Sequence, residues 1–369
     1  MRGWVGEMAN ALMPEAIRAV QRVMESGVFL MGEELACFER DLAQWMGGGE
    51  VVGCGSGTDA VTLALMAGGI GLGDEVLVSS FVPGATVSAI LATGARAVIV
   101  DCGEDYGISL DALSGIPLGR VRAWVAVHLY GMIAPTFAPF LREARNRGWW
   151  VVEDCAQALG AELSLEGCVY RAGCCGDVGA FSFYPSKNLG AFGDAGACYA
   201  INNAEVVGRL KRLRQYGWLE RDDAVEAGRN SRLDEVQAAI LRVGLDRLRG
   251  WISERQRLAR GYRDLLGNAD FVGVRPWEWG KESVFHQYVV RVTGRDRVEA
   301  GMRARGIPVG VHYRRPAHVQ RAFAGFERGR LTWSHVLASE VLSLPLYPGL
   351  TQSEQERVAH GLTEEMKRR

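Results

Sequence analysis

Trp149-Trp-Val-Val-Glu-Asp-Cys-Ala-Gln157 is an apolar run that stops at two adjacent carboxylates. Such a run suits a strand buried on both faces, and sheets covered on both faces are typically parallel. A carboxylate at the carboxyl end of a parallel strand points into the crevice where these sheets bind ligands. Glu153 or Asp154 therefore either meets a cation in that crevice or caps a following helix. A protonated pyridine nitrogen is one cation that would suit, because keeping it protonated makes the ring a strong electron sink.

Working outward from this strand, the same character recurs from about Val51 to Asn202. Short β-rich runs at Glu75 to Ser80, Arg96 to Asp101, Ala123 to Leu129, Val178 to Phe183 and Gly196 to Ile201 alternate with helical patterns. The helices are expected at Asp59 to Ala67, Ala85 to Thr93 and Pro135 to Asn146, with Gly94 and Gly148 placed as left-handed caps. This alternation predicts an α/β fold with a mostly parallel sheet between helices. Beyond Ala204 the pattern turns helical, and Leu233, Val236, Ile240, Leu241, Leu245 and Leu248 mark a long helix over Ser231 to Leu266. A smaller α/β unit follows, with strands near His286 to Val292 and Pro308 to Tyr313, a helix near Arg295 to Arg305 and a final helix from about Ser353. The boundary is expected inside the long helix, dividing a large domain, 1–249, from a small one, 250–369.

The 369 residues carry a formal net charge of -1 with both signs interspersed, which offers no long-range attraction for nucleic acid or anionic lipid. No run of eighteen apolar residues occurs, and Met1 to Asn10 lacks the pattern of an export signal, so a cytoplasmic protein without membrane contact is expected. Eight cysteines without a C-x-x-C pair predict reduced core thiols. Cys168, Cys174 and Cys175 are not expected to hold a metal, since adjacent cysteines rarely face one ion and no histidine is near.

Four further segments bear chemistry. Val51-Val-Gly-Cys-Gly-Ser-Gly-Thr-Asp-Ala60 is a glycine-rich turn into a helix, whose free amides suit a phosphate; an ordinary turn capped by Ser56 or Thr58 explains it equally. A dinucleotide site is disfavoured, because the glycines do not run G-x-G-x-x-G and no acid ends the next strand. Gly176-Asp-Val-Gly-Ala-Phe-Ser-Phe-Tyr-Pro-Ser-Lys-Asn-Leu-Gly190 places Lys187 between apolar segments, where desolvation favours the neutral amine that imine chemistry needs. In Gly228-Arg-Asn-Ser-Arg-Leu-Asp-Glu, Asn230 or Ser231 is placed to cap the long helix, with Asp234 answering. His312 and Tyr313, with His318 and the neighbouring Arg314 and Arg315, either are hydrogen-bonded structural residues or meet a sugar and its phosphates.

Taken in order, these segments resemble the DegT/DnrJ/EryC/StrS family of sugar aminotransferases, a branch of the fold-type I pyridoxal-phosphate (PLP) enzymes. The likeness runs from Ser26-Gly-Val-Phe-Leu-Met-Gly through Gly57-Thr-Asp-Ala, Ala85-Thr86, Val127-His-Leu-Tyr-Gly131, Glu153-Asp-Cys-Ala-Gln157, the Lys187 segment and Asn230-Ser-Arg-Leu-Asp-Glu-Val-Gln to Leu344-Pro-Leu-Tyr-Pro348. It implies a seven-stranded-type sheet, PLP as cofactor and Lys187 as the catalytic residue forming the internal Schiff base. It further implies that Asp154 pairs with the pyridine nitrogen, Gln157 lies near the ring, and Gly57, Thr58 and Ser182 contact the phosphate. Asn230 would reach the phosphate of the neighbouring subunit in a homodimer with shared sites. Tyr184, His312 and Tyr313 are the substrate-side residues. The implied reaction moves an amino group from glutamate or glutamine to a nucleotide-linked keto-sugar, with C-3 of a dTDP-3-keto-6-deoxyhexose leading. The alternatives are C-4 of a nucleotide sugar, a keto-cyclitol, or a PLP-binding regulator without turnover. One position departs from the family: Pro83 stands where an aromatic ring usually stacks on the pyridine, leaving Phe81 or a shifted loop to supply that contact.

Overall fold

A computed structural model describes residues 4–108, 110–201, 203–267, 274–276 and 282–368. Met1 and Asn202, which bound two of the sequence readings, lie outside the described residues. The strands are β1 (Glu50–Cys54), β2 (Glu75–Ser79), β3 (Arg96–Val100), β4 (Val121–Val127), β5 (Trp150–Asp154), β6 (Glu162–Leu165), β7 (Cys168–Arg171), β8 (Val178–Ser182), β9 (Gly196–Ala200), β10 (Trp218–Glu220), β11 (Asp223–Ala224), β12 (Val274–Pro276), β13 (Tyr288–Val292) and β14 (Val341–Leu344). The helices are α1 (Trp4–Ser26), α2 (Glu33–Met46), α3 (Gly57–Ala67), α4 (Gly84–Leu91), α5 (Phe137–Asn146), α6 (Ala204–Leu213), α7 (Glu235–Leu266), α8 (Arg295–Ala304), α9 (Trp333–Glu340) and α10 (Gln352–Lys367).

The main sheet has seven strands in the order β1-β9-β8-β5-β4-β2-β3. Its pairings are parallel from β8 to β3, and only β9 runs antiparallel to its neighbours β1 and β8. The carboxyl ends of β1, β2, β4, β5 and β8 thus share one edge. Apolar clusters cover both faces: Val151 and Phe181 pack with α2 and α5 on one side, while Val152 and Ala180 pack with α3 on the other. This is the two-sided burial that the run at 149–154 predicts, and Gly94 and Gly148 adopt φ of +85° and +67° as expected of left-handed caps.

Three readings of the sequence need correction. The long helix begins at Glu235, and its cap is Asp234, which accepts from the Gln237 amide at 2.8 Å. Asn230 and Ser231 cannot cap it because this stretch is extended: Asn230 bridges Gln215 and Asp234 bridges Leu30. The stretch from Pro308 to Tyr313 is no strand; only Gly310 pairs, with Ser343, and the chain then turns. Pro308 has no amide to donate to a ladder. Finally, the core-thiol expectation holds for Cys37, Cys54, Cys102, Cys155 and Cys198, whereas Cys168 is exposed and Cys174 and Cys175 are half-buried.

Candidate functional site

A cavity of about 250 Å³ opens at the shared carboxyl edge of the sheet, lined by residues from six separate chain segments. Ser56, Gly57 and Thr58 come from the β1–α3 turn, and Pro83, Ala85 and Thr86 from the β2–α4 turn. His128 follows β4, Asp154, Ala156 and Gln157 end β5, and Ser182, Tyr184, Ser186 and Lys187 follow β8. Tyr313 enters from the C-terminal part of the chain.

One end is built for an anion. Ser56 caps α3 by accepting the Asp59 amide at 3.1 Å, which leaves the amides at the head of this eleven-residue helix facing the cavity beside Ser182. A Cβ on Gly57 would stand 2.5 Å from Ser182 Cβ, so glycine is required where helix and strand end approach.

In the middle lies Asp154. Successive residues of a strand face opposite ways, so the adjacent carboxylates of β5 separate. Glu153 turns away and is saturated: Oε1 accepts the amides of Cys175 and Gly176 at 2.7 and 2.6 Å, while Oε2 accepts Gly173 N at 3.0 Å and lies 2.9 Å from His128 Nε2. Asp154 faces the cavity, where Oδ2 accepts the Thr86 hydroxyl at 2.7 Å and Oδ1 the Ala156 amide at 3.2 Å. Burial raises its pKa, and the hydrogen bond from Thr86 opposes the shift. A buried carboxylate of this kind is stabilised by a cation brought in by a ligand.

Lys187 stands across the same cavity. Its amide donates to Tyr184 O at 2.8 Å, and the next residue, Asn188, donates to Val284 O at 2.9 Å, which pins the loop from both sides. Burial lowers its pKa from 10.5 to about 8, partly opposed by Asp154. The neutral amine is thereby made roughly 300-fold more abundant at neutral pH than in an ordinary lysine. The uncombined amine attacks an aldehyde only when neutral, so capture of PLP by the cofactor-free protein should quicken about tenfold per pH unit below 8 and level off above it. Stopped-flow absorbance across that range checks this, and a rate flat from neutral pH upward would contradict it.

Gln157 braces the wall: its Oε1 accepts Tyr130 N at 2.6 Å and its Nε2 donates to Tyr313 OH at 2.9 Å. Gly57, Thr58, Asp154, Gln157, Ser182, Tyr184, Lys187 and Tyr313 are thus brought together, whereas Asn230 and His312 do not line the cavity. Asn230 is exposed, and His312 Nδ1 meets Ser343 Oγ at 2.8 Å while its carbonyl accepts the Tyr130 hydroxyl. Arg314 is engaged by Asp296 and Glu299. Phe81 is fully buried against Tyr106 and Tyr313, so it is Pro83 and Ala85 that present themselves at the cavity wall. Thr86 and His128 were not singled out as site residues from the sequence. A hydroxyl one residue after Ala85 becomes meaningful only once β2 and β5 are known to end at the same edge of the sheet, with β4 between them.

The donor set fits PLP: amides and a serine for a phosphate, a buried carboxylate for a ring N–H, and an amine of lowered pKa for an aldehyde.

A model of the DegT/DnrJ/EryC1/StrS aminotransferase family matches residues 10–363. The chain is 40% identical to the dTDP-3-amino-3,4,6-trideoxy-alpha-D-glucose transaminase of Streptomyces venezuelae, over 96% of this chain and 92% of that protein. It is 36% identical to a protein of Geobacillus stearothermophilus named pleiotropic regulatory protein, over 98% of this chain and 96% of the relative. Among solved structures, S. venezuelae DesV in complex with a ketimine intermediate matches with a TM-score of 0.91 at 39% identity, covering 99% of this chain and 98% of the other.

Proposed function

The chain belongs to the DegT/DnrJ/EryC1/StrS aminotransferase family, and from that premise we propose that it transfers an amino group from glutamate or glutamine to C-3 of a dTDP-linked 3-keto-6-deoxyhexose, in deoxyaminosugar and antibiotic biosynthesis. It is a PLP-dependent sugar aminotransferase. The observation that carries the reading is the pairing in one cavity of a lysine whose pKa burial lowers to about 8 with a buried carboxylate held by Thr86 and Ala156.

When bound, PLP supplies the electron sink for the pair left behind as a substrate carbon loses its proton. The chain's own residues do the rest. Lys187 Nζ would hold the cofactor and, once displaced, would carry the proton from the donor carbon to the cofactor. Asp154, kept in place by Thr86 and Ala156, would keep a proton on the ring nitrogen. Ser182 and the Gly57 and Thr58 amides would bind the phosphate, and Gln157 holds Tyr313 in the cavity wall through its 2.9 Å hydrogen bond to the hydroxyl. Tyr184 and Tyr313 are the substrate contacts we favour at the mouth, with His312 shaping the backbone that carries Tyr313.

Residues 1–249 form the large domain in this reading and 250–369 the small one, α7 belonging to both. The shared-site homodimer is supported by an exposed apolar run, Val28, Phe29, Leu30 and Met31, held against the start of α7. The Glu235 carboxylate accepts the Gly32 and Glu34 amides at 2.8 Å each, so the run is presented rigidly, while Asn230 stands exposed outside its own cavity. Mixing Lys187→Ala with Asn230→Ala protein should restore activity that neither has alone, since one hybrid site would be intact. No recovery on mixing would reject the sharing of sites. No helix among the described residues is long and apolar enough to cross a membrane; a cytoplasmic place accords with soluble nucleotide-sugar and amino-acid substrates.

The test is spectroscopic. Glutamate or glutamine added to the PLP-loaded protein should bleach the visible band and leave the near-ultraviolet band of the aminated cofactor, and a dTDP-3-keto-6-deoxyhexose should reverse it. A band indifferent to every amino donor would instead favour a PLP-binding regulator without turnover.

A further inference from the structure

Away from the cavity, two histidines on different elements turn toward one point. His318 lies in a short turn, Ala317–Val319, and His335 in the first turn of α9. Their Nε2 atoms are 3.1 Å apart, and their rings stand at 84° with centroids 4.8 Å apart. Two imidazole nitrogens each about 2.05 Å from one ion are about 3.1 Å apart when they subtend about 98°, and ring centres about 1.15 Å further out are then about 4.8 Å apart. Both measured separations therefore fit a single point of convergence. A head-on hydrogen bond would hold the centroids about 5.4 Å apart at the same nitrogen separation.

The backbone fixes this arrangement through one residue. Ser80 accepts the Ala317 amide at its carbonyl, 2.8 Å away, and its hydroxyl meets that of Ser334, so each contact falls one residue before a histidine. The Asp101 carboxylate adds a clamp on the start of α9 by accepting the amides of Thr332, Trp333 and Ser334 at 2.6, 2.8 and 2.9 Å. Asp101 and Glu327 also place negative charge near His318, which favours a cation.

We infer that His318 and His335 form a binding site for a divalent transition metal of the Ni²⁺ and Zn²⁺ kind, with water completing the shell. Ligation through Nε2 puts the His318 proton on Nδ1, which is buried without an acceptor among the described residues. Such a missing outer hydrogen bond typically weakens a metal site by about 10–100-fold, so binding is weaker than at a structural zinc centre. The ion would staple the 317–319 turn to α9 beside Ser80, whose strand end leads to Pro83 in the cavity wall.

Calorimetric titration of the untagged, PLP-loaded protein with Ni²⁺, in a non-coordinating buffer near neutral pH, should give one binding event per chain. His318→Asn and His335→Gln should each abolish it while leaving the metal-free thermal midpoint within a degree or so of wild type. Added Ni²⁺ should raise the midpoint of wild type alone, because the ion binds only the folded arrangement. Anomalous scattering from Ni²⁺-soaked crystals should place the ion between the two rings. Heat of binding that survives in either variant, as cysteine ligation would produce, overturns the inference, and so does the absence of binding or of an anomalous peak at the pair.

Discussion

Replacing Lys187 by alanine should lower the overall transamination rate by roughly 10⁴-fold or more while leaving the fold intact. A positioned acid–base group contributes about 10²–10⁴-fold by itself, and this lysine is also the covalent anchor. Its stem lines an open cavity, so truncation leaves space for water rather than a sealed void. The cofactor should still bind, through Asp154 and the amides ahead of α3, and glutamate should convert it slowly if at all. Single-turnover absorbance on the loaded variant measures this directly. A rate within tenfold of wild type would remove Lys187 from the chemistry, and with it the central assignment.

The second large effect concerns stability rather than rate. Glu153→Ala should destabilise the protein by about 3–5 kcal/mol, the range for removing one partner from a buried charged network. Four groups, three amides and His128 Nε2, would lose their acceptor in the core. Asp154→Asn is the contrasting change. It removes a desolvated charge and should cost little stability, yet it should slow turnover by about 10²–10³-fold, the scale for losing one preorganised electrostatic partner. Urea midpoints and turnover measured on both variants should cross over in this way. Equal loss of stability in the two would mean that the strand end does not divide its labour.

That division shows where the sequence is legible and where it is not. The paired carboxylates announce a strand end, and the pleat guarantees that only one of them faces the crevice. Which one depends on the loop at 173–176 supplying amides to Glu153, a fact of tertiary packing. The parallel sheet, its helices and the lysine segment follow from hydrophobic spacing, because two-sided burial writes continuous apolar runs. The start of α7 was misplaced because Asn230, Ser231 and Asp234 are all competent caps. The choice among them was made by distant partners: Ser231 Oγ accepts the Gly55 amide and donates to Asp59. The strand expected at 308–313 failed for a similar reason, since β-rich composition does not say whether a partner edge is free. In the site, Thr86 stood inside a recognised motif, but its bond to Asp154 spans 68 positions and no local signal encodes it.

The cavity's walls come from residues near 56, 85, 128, 155, 185 and 313, so no contiguous stretch of chain contains a usable fraction of it. Contacts of such long sequence separation close late, after most loop entropy has been spent. A nascent or partly collapsed chain therefore has little with which to retain PLP, and the mature protein has all of it. In a cell the cofactor would then act as a selective ligand for finished molecules, drawing the population toward them in proportion to its free concentration. Vitamin supply would set how much of this protein survives proteolysis, as well as how much of it works.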